Sequence, residues 1–161
     1  MLNPSFIFKR IFDQQSIENP KNTLNLNHYL HPTLDPAAQW LEHSILRLQA
    51  ATENVLSRHG AQILDKQVDI QRLSVCAIQI YAMFASIARS SRAYCIGLQH
   101  SDYEMLIASS LSFEGMTLIK KISLDIRDGP FVTSDSHYQK IAKQLFKNKS
   151  YFPAHPLTRN F

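Results

Sequence analysis

Leu73–Leu98 reads LSVCAIQIYAMFASIARSSRAYCIGL, a run with no proline and no glycine before Gly97. Cys76, Ile80, Met83, Phe84 and Ile87 recur at helical spacing, and the intervening positions are largely apolar too. A helix apolar on most sides is expected to be the buried central element of its fold. The pattern predicts a helix over about residues 68–96, with Gly97 just past its end to take the left-handed conformation that few other residues accept. Its longest apolar stretch, Val75 to Ala88, is about fourteen residues and includes Gln79, which suits a core helix better than a membrane span.

Three further helices are expected around it. The first runs over about residues 36–59, with Asp35 as N-cap, Pro36 in the first helical position and Gly60 closing it. Leu41, Ile45, Leu48, Val55 and Leu56 form its apolar face. The third opens on Ser101-Asp102-Tyr103-Glu104, which has the spacing of a capping box, and continues through Phe113 and Ile119 towards the break at Gly129-Pro130. The fourth covers about residues 136–148, with Tyr138, Ile141, Ala142 and Leu145 on one side and Lys140, Lys143 and Lys147 on the other. No strand alternation is present. Long helices on short links predict an all-α, up-and-down four-helix bundle over residues 35–149. An irregular N-terminal arm, residues 1–34, and a short tail, residues 150–161 with Pro153 and Pro156, flank it.

The 161 residues are 45% hydrophobic and 19% charged, which is ordinary for a globular domain able to bury its own core. The two cysteines, Cys76 and Cys95, share one predicted helix and make no CxxC pair, so both are read as reduced, buried small hydrophobes. The net charge of +4 resides between Lys120 and Lys149, where seven basic residues meet three acids. That local excess suits an acidic partner or an anionic membrane surface, and argues against nucleic acid. Met-Leu-Asn-Pro has no basic n-region and fits neither a secretory signal nor a transit peptide; the start reads as a cut point inside a longer chain.

The chemistry of enzymes is missing from the pattern. A di-iron bundle needs Glu-x-x-His pairs, and none of the seven histidines has an acid three residues before it. There is no HExxH, no phosphate-binding glycine loop and no paired-cysteine metal motif, so no catalytic, cofactor or metal residue is assigned.

The segment Leu73–Leu98, with its Ala88-Arg89-Ser90-Ser91-Arg92-Ala93 turn, resembles the matching helix of the very-long-chain acyl-CoA dehydrogenase group, and most of all acyl-CoA dehydrogenase family member nine. His31-Pro32 and the closing Tyr151, Ala154-His155-Pro156-Leu157 and Arg159 are similar as well. The resemblance implies the extra helical domain that follows the catalytic domains of that group. It further implies that FAD, the acyl-CoA site and the catalytic glutamate belong to upstream domains, so that this chain is not catalytic by itself. Expected partners are those upstream domains or a homodimer, complex I assembly factors, and inner-membrane lipid on the matrix side of the mitochondrion. Two alternatives stand beside it: a fragment of an active β-oxidation enzyme, and a stand-alone helical adaptor.

Three groups of side chains are candidates for contact. Phe6, Ile7, Phe8, Lys9, Arg10, Ile11 and Phe12 combine apolar anchors with two cations and suit a membrane or partner surface. Lys140, Lys143 and Lys147 suit an acidic partner. Arg89 and Arg92 are expected in structural ion pairs, with Glu104 or Glu114 as the acids. Trp40, Tyr81, Met83 and Phe84 are expected in the core.

Overall fold

The computed structural model describes residues 23–130, 132–155 and 157. Among these are four α-helices and no strand: α1 (Asp35–His59), α2 (Gln67–Cys95), α3 (Ser101–Asp128) and α4 (Asp135–Asn148). The all-α helical architecture is therefore as expected. The chain divides into two compact units, residues 1–127 and 128–161.

In the first unit α1, α2 and most of α3 run up, down and up. Contacts fix the senses: His59 meets Asp69 at the near ends of α1 and α2, and Met83 crosses Gly115 on α3 while Arg89 reaches Glu104. Leu34, Leu41, Cys76, Met83, Ile87 and Ile119 are buried together in the main cluster, and Ala51, Val55 and Ile126 form a smaller one beside it. Each large side chain so buried contributes about 1.5–3 kcal/mol. Buried hydroxyls are satisfied within their own helices, Ser44 donating to the Trp40 carbonyl and Ser112 to that of Ala108.

The link from α2 to α3 is closed by Gly97 at φ 69°, with the Leu98 N–H reaching the Ala93 carbonyl at 3.0 Å. This is the six-to-one bond of a glycine-terminated helix. At the far end of the unit, Arg58 donates to the carbonyls of Ile126 and Arg127 at 2.8 and 2.9 Å, satisfying acceptors that the last turn of α3 leaves open.

Several local expectations differ. Asp35 is already helical and makes no side-chain cap; instead the His31 ring accepts from the Thr33 N–H, in a 3-10 turn leading into α1. The Ser101–Glu104 capping box does not form, because His100 at φ 63° offers its carbonyl to the Glu104 N–H and the Glu104 carboxylate is drawn to Arg89. The N-terminal arm is not free up to residue 34. Thr23 and Leu24 donate backbone N–H groups to the buried Glu42 carboxylate, His31 donates its N–H to Ser91, and Leu34 is fully buried. From Thr23 onward the segment is part of the first unit; the remainder of the arm, with Phe6–Phe12, lies outside the described residues.

The second unit holds α4, which sequence analysis counted into the bundle of residues 35–149. The Thr133 hydroxyl donates to Asp135 at 2.7 Å, and the Ser134 carbonyl accepts from His137 and Tyr138 at 3.0 Å each, starting the helix. It ends at Lys149 in the left-handed region, φ 57°. No residue of α4 is buried.

Candidate docking surface

The apolar excess of α2 decides where contacts can be made. Cys76, Met83, Ile87, Ser90 and Ser91 fall on one side of the helix and are buried against α1 and α3. A helix turning by about 100° per residue then presents Ile78, Tyr81 and Phe84 on the remaining side. They are 68%, 71% and 57% exposed. Ala77, Ala85 and Ala88 lie among them, also exposed, so the stripe is apolar and has no charge until Arg89. By length and composition α2 could cross a membrane, yet only 17% of its most apolar stretch is buried within the protein.

This corrects the reading of α2 as a helix buried all round. Of the four residues assigned to the core, Met83 is fully buried and Trp40 half-buried against Phe113, ring centroids 5.4 Å apart; Tyr81 and Phe84 are not core. Periodicity registers how many faces of a helix are apolar, but not how many neighbours the fold supplies. Among the described residues α1 and α3 are the helices that pack on α2, fewer neighbours than its apolar faces can use. On α3, Tyr103, Leu106 and Ile107 are likewise exposed.

Between α2 and α3 the Arg89 guanidinium lies 3.2 Å from Glu104 Oε1. Glu104 Oε2 is buried without a hydrogen-bond partner among the described residues, beside a shallow cavity of about 250 Å³ lined by Ser86, Arg89, Ser90, Glu104 and Ile107. The exposure of Arg89 makes the pair worth little in stability. Arg92, three residues on, is exposed and makes no ion pair among the described residues, because α2 turns it away from α3 towards solvent. Lys140, Lys143 and Lys147 are all exposed along α4.

The cysteines differ from each other. Cys76 is buried, and burial pushes its thiol up from 9.0 to about 11, whereas Cys95 is exposed at the end of α2. The expectation that both are buried fails for Cys95, which falls on the outward side of α2 with the exposed Ala77 and Ala88, although Ala93 and Tyr94 just before it still pack on the core. Burial also lowers the Arg47 guanidinium from its usual range. No group of three or more His, Cys, Asp or Glu side chains suited to a metal ion occurs among the described residues.

Comparison with known proteins bears on these surfaces. Residues 32–151 match the family model described as ACAD9/ACADV, C-terminal domain. The chain is similar to the mitochondrial very long-chain specific acyl-CoA dehydrogenase of Rattus norvegicus, 24% identical over 135 residues, which are 83% of this chain and 21% of the relative. The proteins of the same name from Homo sapiens and Bos taurus are each 23% identical over the same shares. The chain thus spans about a fifth of the length of the curated relatives it matches.

Proposed function

The chain belongs to the ACAD9/ACADV C-terminal domain family, and from that premise we propose that it is a docking domain without catalytic machinery of its own, whose outer α2 face packs on the dehydrogenase body of an acyl-CoA dehydrogenase-type protein and so supports its dimer architecture. The observation that carries this is the uncovered stripe of Ile78, Tyr81 and Phe84. Exposed aromatic anchors flanked by small residues are what a well-packed interface is built from. FAD binding and dehydrogenation then belong to the part of the parent protein that this chain does not span. The domain works in the mitochondrial matrix at the inner membrane, where contact with complex I assembly factors, Phe6–Phe12 as an anchor and Lys140, Lys143 and Lys147 as a basic contact complete the reading.

Chemical cross-linking of the parent protein, with this domain still attached to its dehydrogenase body, followed by mass spectrometry, tests the docking face. Tyr81→Asp with Phe84→Asp, checked for helix content by circular dichroism, abolishes the expected cross-links of α2 or α3 to that body. Cross-links that persist in the double variant, or that never reach the body, overturn the proposal. The names of the relatives favour one further reading, a piece of an active FAD-dependent enzyme of fatty acid β-oxidation. A catalytic glutamate and flavin domain encoded upstream distinguish it.

A further inference from the structure

We propose, resting on the docking reading above, that the cavity between α2 and α3 receives a lysine side chain of the dehydrogenase body, whose ammonium pairs with Glu104. The cavity, about 250 Å³, is lined by Ser86, Arg89, Ser90, Glu104 and Ile107. Arg89 follows Ile78 by three helical turns and points within about 20° of the same direction, so the cavity opens at the end of the apolar stripe that docking covers. Glu104 Oε1 holds Arg89 at 3.2 Å, while Oε2 is buried with no partner among the described residues. A buried charged acceptor without a donor is costly, and a purely apolar partner closing over this cavity would leave it so. The surface that docks here must therefore bring a donor.

The polar atoms of the lining select that donor. Ser90 is 1% exposed and donates its proton to the Ile87 carbonyl at 3.1 Å, so its oxygen can only accept from a newcomer. The ionised Glu104 oxygen can only accept as well. A group with several donors and no acceptor answers both, which leaves an ammonium or a guanidinium. A guanidinium is strongest when its fork spans both oxygens of a carboxylate, and here Arg89 already holds Oε1. An ammonium is compact, needs one oxygen and turns three donors to whatever surrounds it. The methylene stem behind it suits the apolar wall of Ile107. Charge agrees with this choice. The Arg89 side chain is 79% exposed, so solvent screens it, whereas Glu104 is 31% exposed and keeps one oxygen wholly inside. A cation entering the cavity meets mainly the carboxylate.

The parent protein is treated with a carbodiimide, which joins only a carboxylate and an amine already in contact. The reagent activates the carboxylate as an O-acylisourea, the lysine amine attacks the acyl carbon, and the urea leaves as the amide forms. Peptide mapping is expected to find Glu104 linked to one lysine of the body, and changing that lysine to methionine abolishes the link. Tyr81→Asp with Phe84→Asp, which releases α2, abolishes it too. A second arm needs no docking: n-butylammonium is titrated into the chain on its own and followed by the NMR shifts of the Glu104 carboxyl and the Ser86 and Ser90 amides. It is expected to bind at least roughly tenfold more tightly than 1-butanol, the worth of about one charge-assisted hydrogen bond. Glu104→Gln removes that preference, and Arg89→Gln, which takes away the competing cation, strengthens it. Cross-links of α2 to the body that form while Glu104 couples to no lysine overturn this proposal and leave the docking reading standing. Absence of both kinds of link overturns the docking reading and the lysine contact together. Equal binding of butylammonium and butanol, or a preference that survives Glu104→Gln, overturns the proposal at the cavity itself.

Discussion

Gly115 lies inside α3 where that helix crosses α2, and replacing it by alanine sets two effects of opposite sign against each other. An alanine Cβ at this position would stand 2.6 Å from Met83 Sδ and 3.0 Å from both Met83 Cγ and Gln79 Nε2. Met83 is fully buried, so its sulfur has little room to retreat and the helices must part or the side chain leave its rotamer. Overpacking of this kind costs about 1–3 kcal/mol. Against it, removing a glycine from a helix interior gains about 1 kcal/mol. Gly115→Ala is therefore expected to destabilise the domain by about 0–2 kcal/mol in urea unfolding followed by circular dichroism. Met83→Ala alone should cost about 2–5 kcal/mol through the cavity it opens. In that background the two Met83 contacts are gone and only the flexible end of Gln79 must give way, so Gly115→Ala should now stabilise by about 1 kcal/mol. The double-mutant cycle thus has a coupling of about 1–3 kcal/mol. If Gly115→Ala stabilises the parent by the full ~1 kcal/mol, with coupling below ~0.5 kcal/mol, the close crossing of α2 and α3 is wrong.

Further outcomes follow from the same packing. Phe84→Ala, one position from Met83 but on the outer stripe, should cost less than about 1.5 kcal/mol in the isolated chain; equal losses for Met83→Ala and Phe84→Ala in denaturant would refute the split of α2 into two faces. Arg58→Ala removes two bonds to the final carbonyls of α3 and should cost about 1 kcal/mol, with hydrogen exchange rising first around residues 123–128. A thiol reagent should label Cys95 in the native protein and Cys76 only after unfolding. Because the Cys76 thiol is raised from 9.0 to about 11 in the fold, its thiolate forms first in the unfolded chain. The stability it contributes is complete below about pH 9 and falls as pH rises towards about 11; Cys76→Val should remove that part of the alkaline decline.

The helix ends were legible where one backbone requirement decides them. Gly97 and Gly129, at φ 69° and 77°, stop α2 and α3 where only glycine is at ease, and the chain announces both. Caps were less legible, since Asp35 and Ser101 compete with neighbours whose geometry depends on tertiary contacts. The entry segment was missed for a related reason. Leu26, Leu30 and Leu34 are spaced by four and pack on or in the core, but Asn25, Asn27 and Pro32 around them read as a loose arm. What ties the segment down is Glu42, a carboxylate on the buried side of α1 that no apolar pattern would select. Of the candidate contact groups, Arg89 finds Glu104, one of the two acids considered, because α2 and α3 are antiparallel and close. The docking stripe itself was visible as apolar residues but assigned to the wrong side of the surface.

How that stripe is used depends on magnitudes. Covering Ile78, Tyr81 and Phe84 would yield about 1.5–3 kcal/mol each if they were fully exposed beforehand, and less in proportion to what is already buried. The gross gain is then about 3–6 kcal/mol. Free association of two molecules costs an estimated 4–15 kcal/mol in lost translation and rotation before any side chain is ordered. In a symmetric pair each copy buries its own stripe, so the gross gain doubles to about 6–12 kcal/mol, which lies inside the range of that cost and leaves no clear surplus to hold two separate copies of this domain together. A face held next to its target by the same polypeptide escapes most of that cost, because the tether fixes an effective concentration in the millimolar range. The arithmetic favours docking on a covalently attached body over pairing of free domains. Sedimentation equilibrium of the isolated chain at roughly micromolar concentration is accordingly expected to give the mass of a monomer, 18.5 kDa, with Tyr81→Asp and Phe84→Asp leaving it unchanged. A concentration-dependent dimer abolished by those two changes would mean that α3 residues such as Tyr103 and Ile107 add far more area to the interface than the α2 stripe alone, and that the domain pairs with itself.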